Sequence, residues 1–139
     1  MKETPTADAY QAGLQNRRRI LGNAWVDKSL ANRSTFNADF QEMITVHAWN
    51  DIWGRPALGD RTRRFMVLSM MLGIHAWEEF ALHVRAALDG PEDSRLTPDD
   101  IKEVIQMAAI YCGVPVANHA FGIASGILRE KGLLEPYQP

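Results

Sequence analysis

The sequence predicts an all-α protein. Apolar residues recur at helical spacing along most of the chain, start and stop residues bracket those runs, and no stretch alternates strictly as a half-buried strand would. Six segments carry the pattern. The first covers about residues 7–21 and stops at Gly22, which accepts the left-handed backbone found where helices end. The second starts at Ser34 or Thr35, either able to cap a helix by accepting a bond from a free backbone N–H, and ends at Gly54 before Pro56. Its residues Phe36, Phe40, Met43, Ile44 and His47 follow helical spacing, which places them on an apolar face. The third opens at Asp60, carries Phe65, Leu68, Met71 and Leu72, and is bent or ended by Gly73.

The fourth segment covers residues 76–88 and is closed by Gly90-Pro91. The fifth has the clearest start signal: Thr97 as cap, Pro98 with its backbone angle preset for the first turn, then Asp99 and Asp100 facing the positive end of the helix dipole. Ile101, Val104, Ile105 and Ala108 form its inward stripe, and Gly113 ends it. The sixth covers residues 116–131 and stops at Gly132; Ala117, Ala120, Gly122, Ala124, Ser125 and Gly126 allow close helix packing. Residues 89–96 are the most loop-like stretch. No repeat and no long linker interrupts the chain, so one domain over residues 1–139 is expected.

Composition narrows the function classes. At 139 residues and 46% hydrophobic, the chain can bury a modest core, yet six Met and four Trp exceed what such a core uses. A homo-oligomer is therefore expected. Fifteen basic and 17 acidic side chains are intermixed, and Arg17, Arg18 and Arg19 form the one basic run, so nucleic acid is not an expected partner. The longest apolar stretch, residues 65–77, contains Ser69 and His75 and is too short to span a bilayer, so no membrane is expected. Residues 1–9 are polar, which argues against a secretory signal and for the cytoplasm. The single cysteine, Cys112, excludes an internal disulfide and a Cys-rich zinc site. With no H-x-x-x-H pair and no Gly-rich phosphate loop, neither metal nor organic cofactor is expected.

Glu79 and His83 stand four apart on one helix and share a face. A carboxylate there can orient the imidazole and raise its pKa, which suits a general acid; the plainer reading is a helix-stabilising pair or a packed histidine. Trp53, Arg55 and Arg63 flank a tight turn, where arginine forks could bind carboxylates or merely border a surface loop. His47 reads as a packed histidine and His75 as isolated. Cys112, beside Tyr111, reads as an inert buried thiol.

One ordered series of residues joins these observations. It opens with Tyr10-x-x-Gly13-x-x-x-Arg17-x-x-x-Leu21-Gly22, Ser29-Leu30, Phe36-Asn37-x-Asp39-Phe40-Gln41, Ala48-Trp49 and Trp53-x-Arg55-Pro56-x-Leu58. It continues with Thr62-Arg63, Glu79-x-x-x-His83-x-Arg85-Ala86, Thr97-x-Asp99-x-Ile101-Lys102-Glu103 and Tyr111-x-Gly113-x-Pro115-x-x-Asn118. Over about residues 10–132 this series resembles the γ-carboxymuconolactone decarboxylase family.

The resemblance implies an alkylhydroperoxidase D-like helical fold of about six helices, assembled as a trimer or hexamer. It implies cofactor-free removal of carbon dioxide from 4-carboxymuconolactone, a small carboxylated lactone, giving the β-ketoadipate enol-lactone of protocatechuate degradation. Under it, Arg55 and Arg63 bind the anion, His83 delivers a proton, Glu79 orients His83, and Trp53 and Tyr111 line the pocket. The related peroxidases use C-x-x-C-x-x-x-H; the matching positions here are Ala76, Glu79 and His83, so both redox thiols are missing and disulfide-based peroxidase chemistry is excluded. Two departures stand out: His75-Ala76 replaces the family's Gly-Arg, and the loop at residues 90–96 is longer. They leave room for another lactone or β-keto acid as substrate, or for a non-catalytic helical binding protein.

Overall fold

Seven α-helices and one π-helical turn form among the described residues. The structure, a computed structural model, describes residues 4–139, with side chains from Ala7; among these there is no strand. Much of the polar stretch read above as lacking a secretory signal lies outside the described residues. Among the described residues no helix is long and apolar enough to cross a membrane. Residues up to Arg63 form one compact unit and Arg64–Pro139 a second.

In the first unit, α1 (Thr4–Leu21) is followed at once by α2 (Asn23–Ala31). Gly22 joins them with φ 87°, its N–H closing α1 on the Arg18 carbonyl at 2.9 Å and its own carbonyl accepting from Val26 at 3.2 Å. Helix α2 is absent from the six expected segments. Gly22 has no side chain to cap it, and Val26 is its one buried residue, so neither a cap nor an apolar stripe announces it.

The helix expected from Ser34 or Thr35 begins later, as α3 (Ala38–Ile44). Residues 34–37 instead form a turn: the Ser34 N–H donates to Asn37 Oδ1 at 2.8 Å, and the Asn37 N–H returns to the Ser34 carbonyl at 3.2 Å. The expected apolar face of this helix is largely in solvent, with Phe36 98% exposed and Phe40 and Met43 also exposed. A change of helical register follows. Thr45–Asn50 is π-helical, with bonds spanning five residues from Asp51 to Val46 and from Trp53 to Ala48, both at 3.0 Å. The register change turns Trp49 inward, stacked on Trp53 at 5.5 Å, and leaves His47 exposed with Nδ1 3.0 Å from Asp51. His47 is thus a surface residue, not a packed one.

Helix α1 lies against this π-helical segment. A Cβ on Gly13 would stand 2.1 Å from the Thr45 carbonyl oxygen, and Asn16 donates to the Trp49 carbonyl at 2.9 Å. Around this seam Ile20, Leu21, Val26 and Trp49 are buried.

Helix α4 (Asp60–Gly73) begins in the first unit and continues into the second, which adds α5 (Trp77–Asp89), α6 (Pro98–Tyr111) and α7 (Val114–Glu130). The expected start of α6 is present in full: the Asp100 N–H donates to Thr97 Oγ1 at 3.1 Å, and the Thr97 N–H donates back to Asp100 Oδ2 at 2.8 Å. Cys112 and Gly113 (φ 106°) link α6 and α7 into a hairpin. Cys112 is exposed, contrary to the buried thiol expected, because it caps α6 at the turn of that hairpin, beyond the last buried residue of the α6 stripe, Ala108. Side-chain pairs Trp77/His119, Arg85/Glu130 and Asp89/Lys131 follow one another in the same order along α5 and α7, so these helices run parallel.

The core of this unit contains Leu68, Leu72, Phe80, Val84, Ile105 and Ala120, each fully shielded from solvent. Burial of each larger side chain contributes about 1.5–3 kcal/mol. The stripe predicted for α6 is buried as expected, as are Ala117, Ala120 and Ala124 of α7.

The seam at Gly13 is the most demanding contact of the first unit. Gly13→Ala should lower stability by about 1–3 kcal/mol, the usual cost of overpacking. Urea unfolding should show this as a lower midpoint at an unchanged m value.

Candidate active site

The residues expected to carry chemistry are divided between the two units. Trp53, Arg55 and Arg63 belong to the first. Arg55 is exposed, and its carbonyl accepts from Arg63 Nη2 at 3.3 Å. Arg63 Nε is buried without a hydrogen bond, and Trp53 is half-buried against Trp49.

Glu79, His83 and Tyr111 belong to the second unit. Tyr111, at the end of α6, is 81% exposed. His83 projects from the middle of α5 and is half-buried, with no hydrogen bond to Nδ1. Glu79 lies in the exposed first turn of the same helix. It favours the charged imidazole, as its spacing predicts, but the net effect runs the other way. Burial, then the positive charge of Arg64, push His83 down to about 4 against the smaller pull of Glu79. His83 is therefore neutral at physiological pH, not charged as a ready general acid would be.

Arg64 is the residue that sequence reasoning missed. It is 1% exposed and heads the buried series Arg64, Leu68 and Leu72 along one face of α4. Its guanidinium occupies space that a side chain on Gly90 would need: a Cβ there would stand 2.5 Å from Arg64 Nη2. The signal was present in the sequence. Arg64 shares the i, i+4, i+8 phase of two leucines, whereas Arg63 does not.

A second cluster was also missed. The Trp77 indole stacks on His119 with ring centroids 4.1 Å apart and planes within 2°, and His75 stacks on Trp77 at 5.6 Å. His75 is the one described non-glycine residue with positive φ, at 59°. The Ala76 N–H reaches back to the Met71 carbonyl at 2.9 Å, so His75 fills the left-handed position that closes α4, a position that favours glycine. His75 is thus not isolated.

An open pocket of about 450 Å³ lies elsewhere, between the start of α6, α7 and Leu133–Glu135. None of the residues above lines it; its walls include Asp99, Lys102, Phe121 and Glu135 but no histidine. Among the described residues no group of three or more His, Cys, Asp or Glu is placed to hold a metal ion.

Comparison with known proteins bears on this arrangement. The model of the carboxymuconolactone decarboxylase family matches residues 38–126. The chain belongs to that family. It is 33% identical over 124 residues to a 4-carboxymuconolactone decarboxylase of Acinetobacter baylyi, covering 89% of this chain and 90% of the relative. It is 35% identical over 106 residues to a nitrosuccinic acid decarboxylase of Metarhizium robertsii, covering 76% and 71% respectively. A 4-carboxymuconolactone decarboxylase of Pseudomonas putida is 55% identical over 42 residues, covering 30% of this chain and 88% of the relative. The matched segment, from α3 into α7, contains Arg55, Arg63, Arg64, His75, Glu79, His83 and Tyr111. These relatives support a decarboxylase, a carboxy-lyase, at the level of the family.

The state of His83 has a measurable consequence. A folded pKa near 4 against 6.5 in the unfolded chain means that between those values the unfolded state binds more protons. The contribution is fully present above about pH 6.5 and falls as pH drops toward 4, by at most about 3 kcal/mol. Unfolding free energies measured from pH 7.5 to 4 should fall faster for the natural protein than for His83→Gln. Parallel curves would refute the assignment.

Proposed function

We propose that this protein is a cofactor-independent decarboxylase of a small carboxylated lactone of the 4-carboxymuconolactone type. The observation that carries the reading is half-buried His83, whose Nδ1 is shielded and unbonded, under the influence of the Arg64 charge, in a chain whose relatives are decarboxylases. In such a lactone the electron pair released with carbon dioxide can move through the double bond onto the lactone carbonyl. The protein must then bind carboxylate, stabilise the oxyanion and return one proton to carbon.

We assign anion binding to Arg55 and Arg63, ring contacts to Trp53 and Tyr111, and proton delivery to His83. A neutral imidazole must first acquire that proton. A bound carboxylate within about 4–6 Å raises a histidine by about 1–3 units, so substrate itself loads His83, and Glu79 assists in the same direction. The β-ketoadipate route and a cytoplasmic location accompany this reading.

A second reading is favoured by one observation: His75 and Ala76 stand where the family has Gly-Arg, with His75 in a backbone conformation suited to that glycine. Under it the substrate is another lactone, a β-keto acid, or an acid such as the nitrosuccinic acid of the fungal relative's name, whose nitro group is likewise an electron acceptor. Release of carbon dioxide from 4-carboxymuconolactone, nitrosuccinate and simple β-keto acids decides between the two. No release from any of them, with a bound ligand, would leave a binding protein.

We further propose a homo-oligomer, a trimer or hexamer. Met66 and Met70 on α4 and Ile74 just beyond its end are exposed, as are Met107, Ile110, Tyr111 and Val114 around the α6–α7 hairpin. Sedimentation at micromolar concentration should show the oligomer, and Met70→Glu should shift it toward monomer.

His83→Ala should lower kcat by roughly 10²–10⁴-fold. Glu79→Gln should cost less and move the basic limb of kcat to lower pH, because a group that favours imidazolium is lost. Turnover should survive EDTA and Cys112→Ser. Normal turnover in folded His83→Ala protein would refute the proton-delivery role.

A further inference from the structure

Three successive arginines on α1 meet three different fates. Arg18 is paired with Asp27 at 2.8 Å. Arg19 grips Asp60 with two bonds, at 2.7 and 3.1 Å. Arg17, turned inward, is 5% exposed and meets no carboxylate among the described residues. Its Nη1 donates to Gln41 Oε1 at 3.2 Å and its Nη2 to Ser29 Oγ at 3.0 Å, both neutral acceptors, and its Nε is buried with no partner.

A guanidinium stays charged in any protein environment, and a buried charge is ordinarily matched by an opposite one. Burial weakens the hold of Arg17 on its proton, and Tyr10 offsets this in part. The polar surroundings are not sealed. Ser29, Gln41 and Tyr10 are each only half-buried, so the charged end lies under a thin polar cover. Tyr10 also brings a second cation: its hydroxyl is 3.5 Å from Arg33 Nη1.

We propose that Arg17 is an anion-binding residue. With Ser29, Gln41 and Tyr10 it forms a site for a carboxylate of the small-molecule substrate, the carboxylate that is kept and not the one lost as carbon dioxide. Five N–H donors in a planar fork, two of them held by side chains able to turn aside, suit two-point recognition of such a group. The substrate's part in this rests on the decarboxylase reading; the anion site itself does not.

The test uses the full chain and succinate as probe, with sodium chloride of equal ionic strength as control. The thermal midpoint of the natural protein should rise saturably with succinate and not with chloride. Arg17→Met should fold with an equal or higher midpoint in the absence of anion, since it removes an unmatched buried charge, and should need at least tenfold more succinate for the same rise. Arg18→Met should respond as the natural protein does. If Arg17→Met does not fold, Arg17→Lys, which keeps the charge and loses the fork, should show the same weakened response. A succinate response unchanged in the Arg17 variants, or absent from the natural protein, would overturn the site. A purely structural clasp predicts a lowered midpoint in Arg17→Met with the succinate response intact, which also overturns it. With a turned-over substrate, Arg17→Lys should raise KM at least tenfold and leave kcat within a few-fold, as expected when a non-reacting contact is lost. Failure of the decarboxylase reading would appear separately, as no carbon dioxide released while the Arg17-dependent succinate response remains.

Discussion

The inward phase of α4 governs the chemistry of the second unit. Once Leu68 and Leu72 face the core, Arg64 one turn earlier must face it too, and its guanidinium has to be accommodated. That requirement keeps position 90 free of a side chain. It also places a fixed positive charge beside His83, where burial already disfavours imidazolium. Packing and acid–base behaviour therefore share one cause. A histidine on the same helix face beside a leucine in place of Arg64 would keep one of the two effects that hold it neutral and lose the other.

The first unit solves a different problem with fewer apolar groups. Its buried hydrophobic side chains are few, and much of its cohesion comes from close backbone approach at Gly13 and from polar contacts such as Asn16 to the Trp49 carbonyl. The π-helical turn belongs to this solution. One additional residue per turn rotates the chain between Thr45 and Asn50, so Trp49 packs inward while His47 is carried to the surface.

The elements legible in the sequence were those with an apolar stripe several residues long. Helices α4 to α7 have one, and at α6 a side-chain cap is added, where Thr97 with Asp100 reproduces the expected start in detail. Helix α2 was illegible because glycine precedes it and a single valine is buried. Residues 34–37 misled because Ser34 and Asn37 bond to each other's backbone and close a turn ahead of the helix. At the candidate site the spacing of Glu79 and His83 was readable, but the state of His83 was not, since Arg64 and burial come from tertiary packing. The stacking of Trp77 on His119 joins residues 42 positions apart, beyond the reach of any local pattern. Trp53, Arg55 and Arg63 were singled out as a group by the turn they flank, and the structure adds that the Arg63 side chain reaches the Arg55 carbonyl.

Cys112 is the chain's single thiol, and it sits exposed at the cap of α6. A maleimide dye or nitroxide would therefore attach at one defined point per chain, next to a rigid helix end. Such a label makes the distance from this helix end to a second labelled position, or to the same position in another copy of the chain, measurable by resonance energy transfer or pulsed spin resonance, with no background cysteine to remove by mutagenesis.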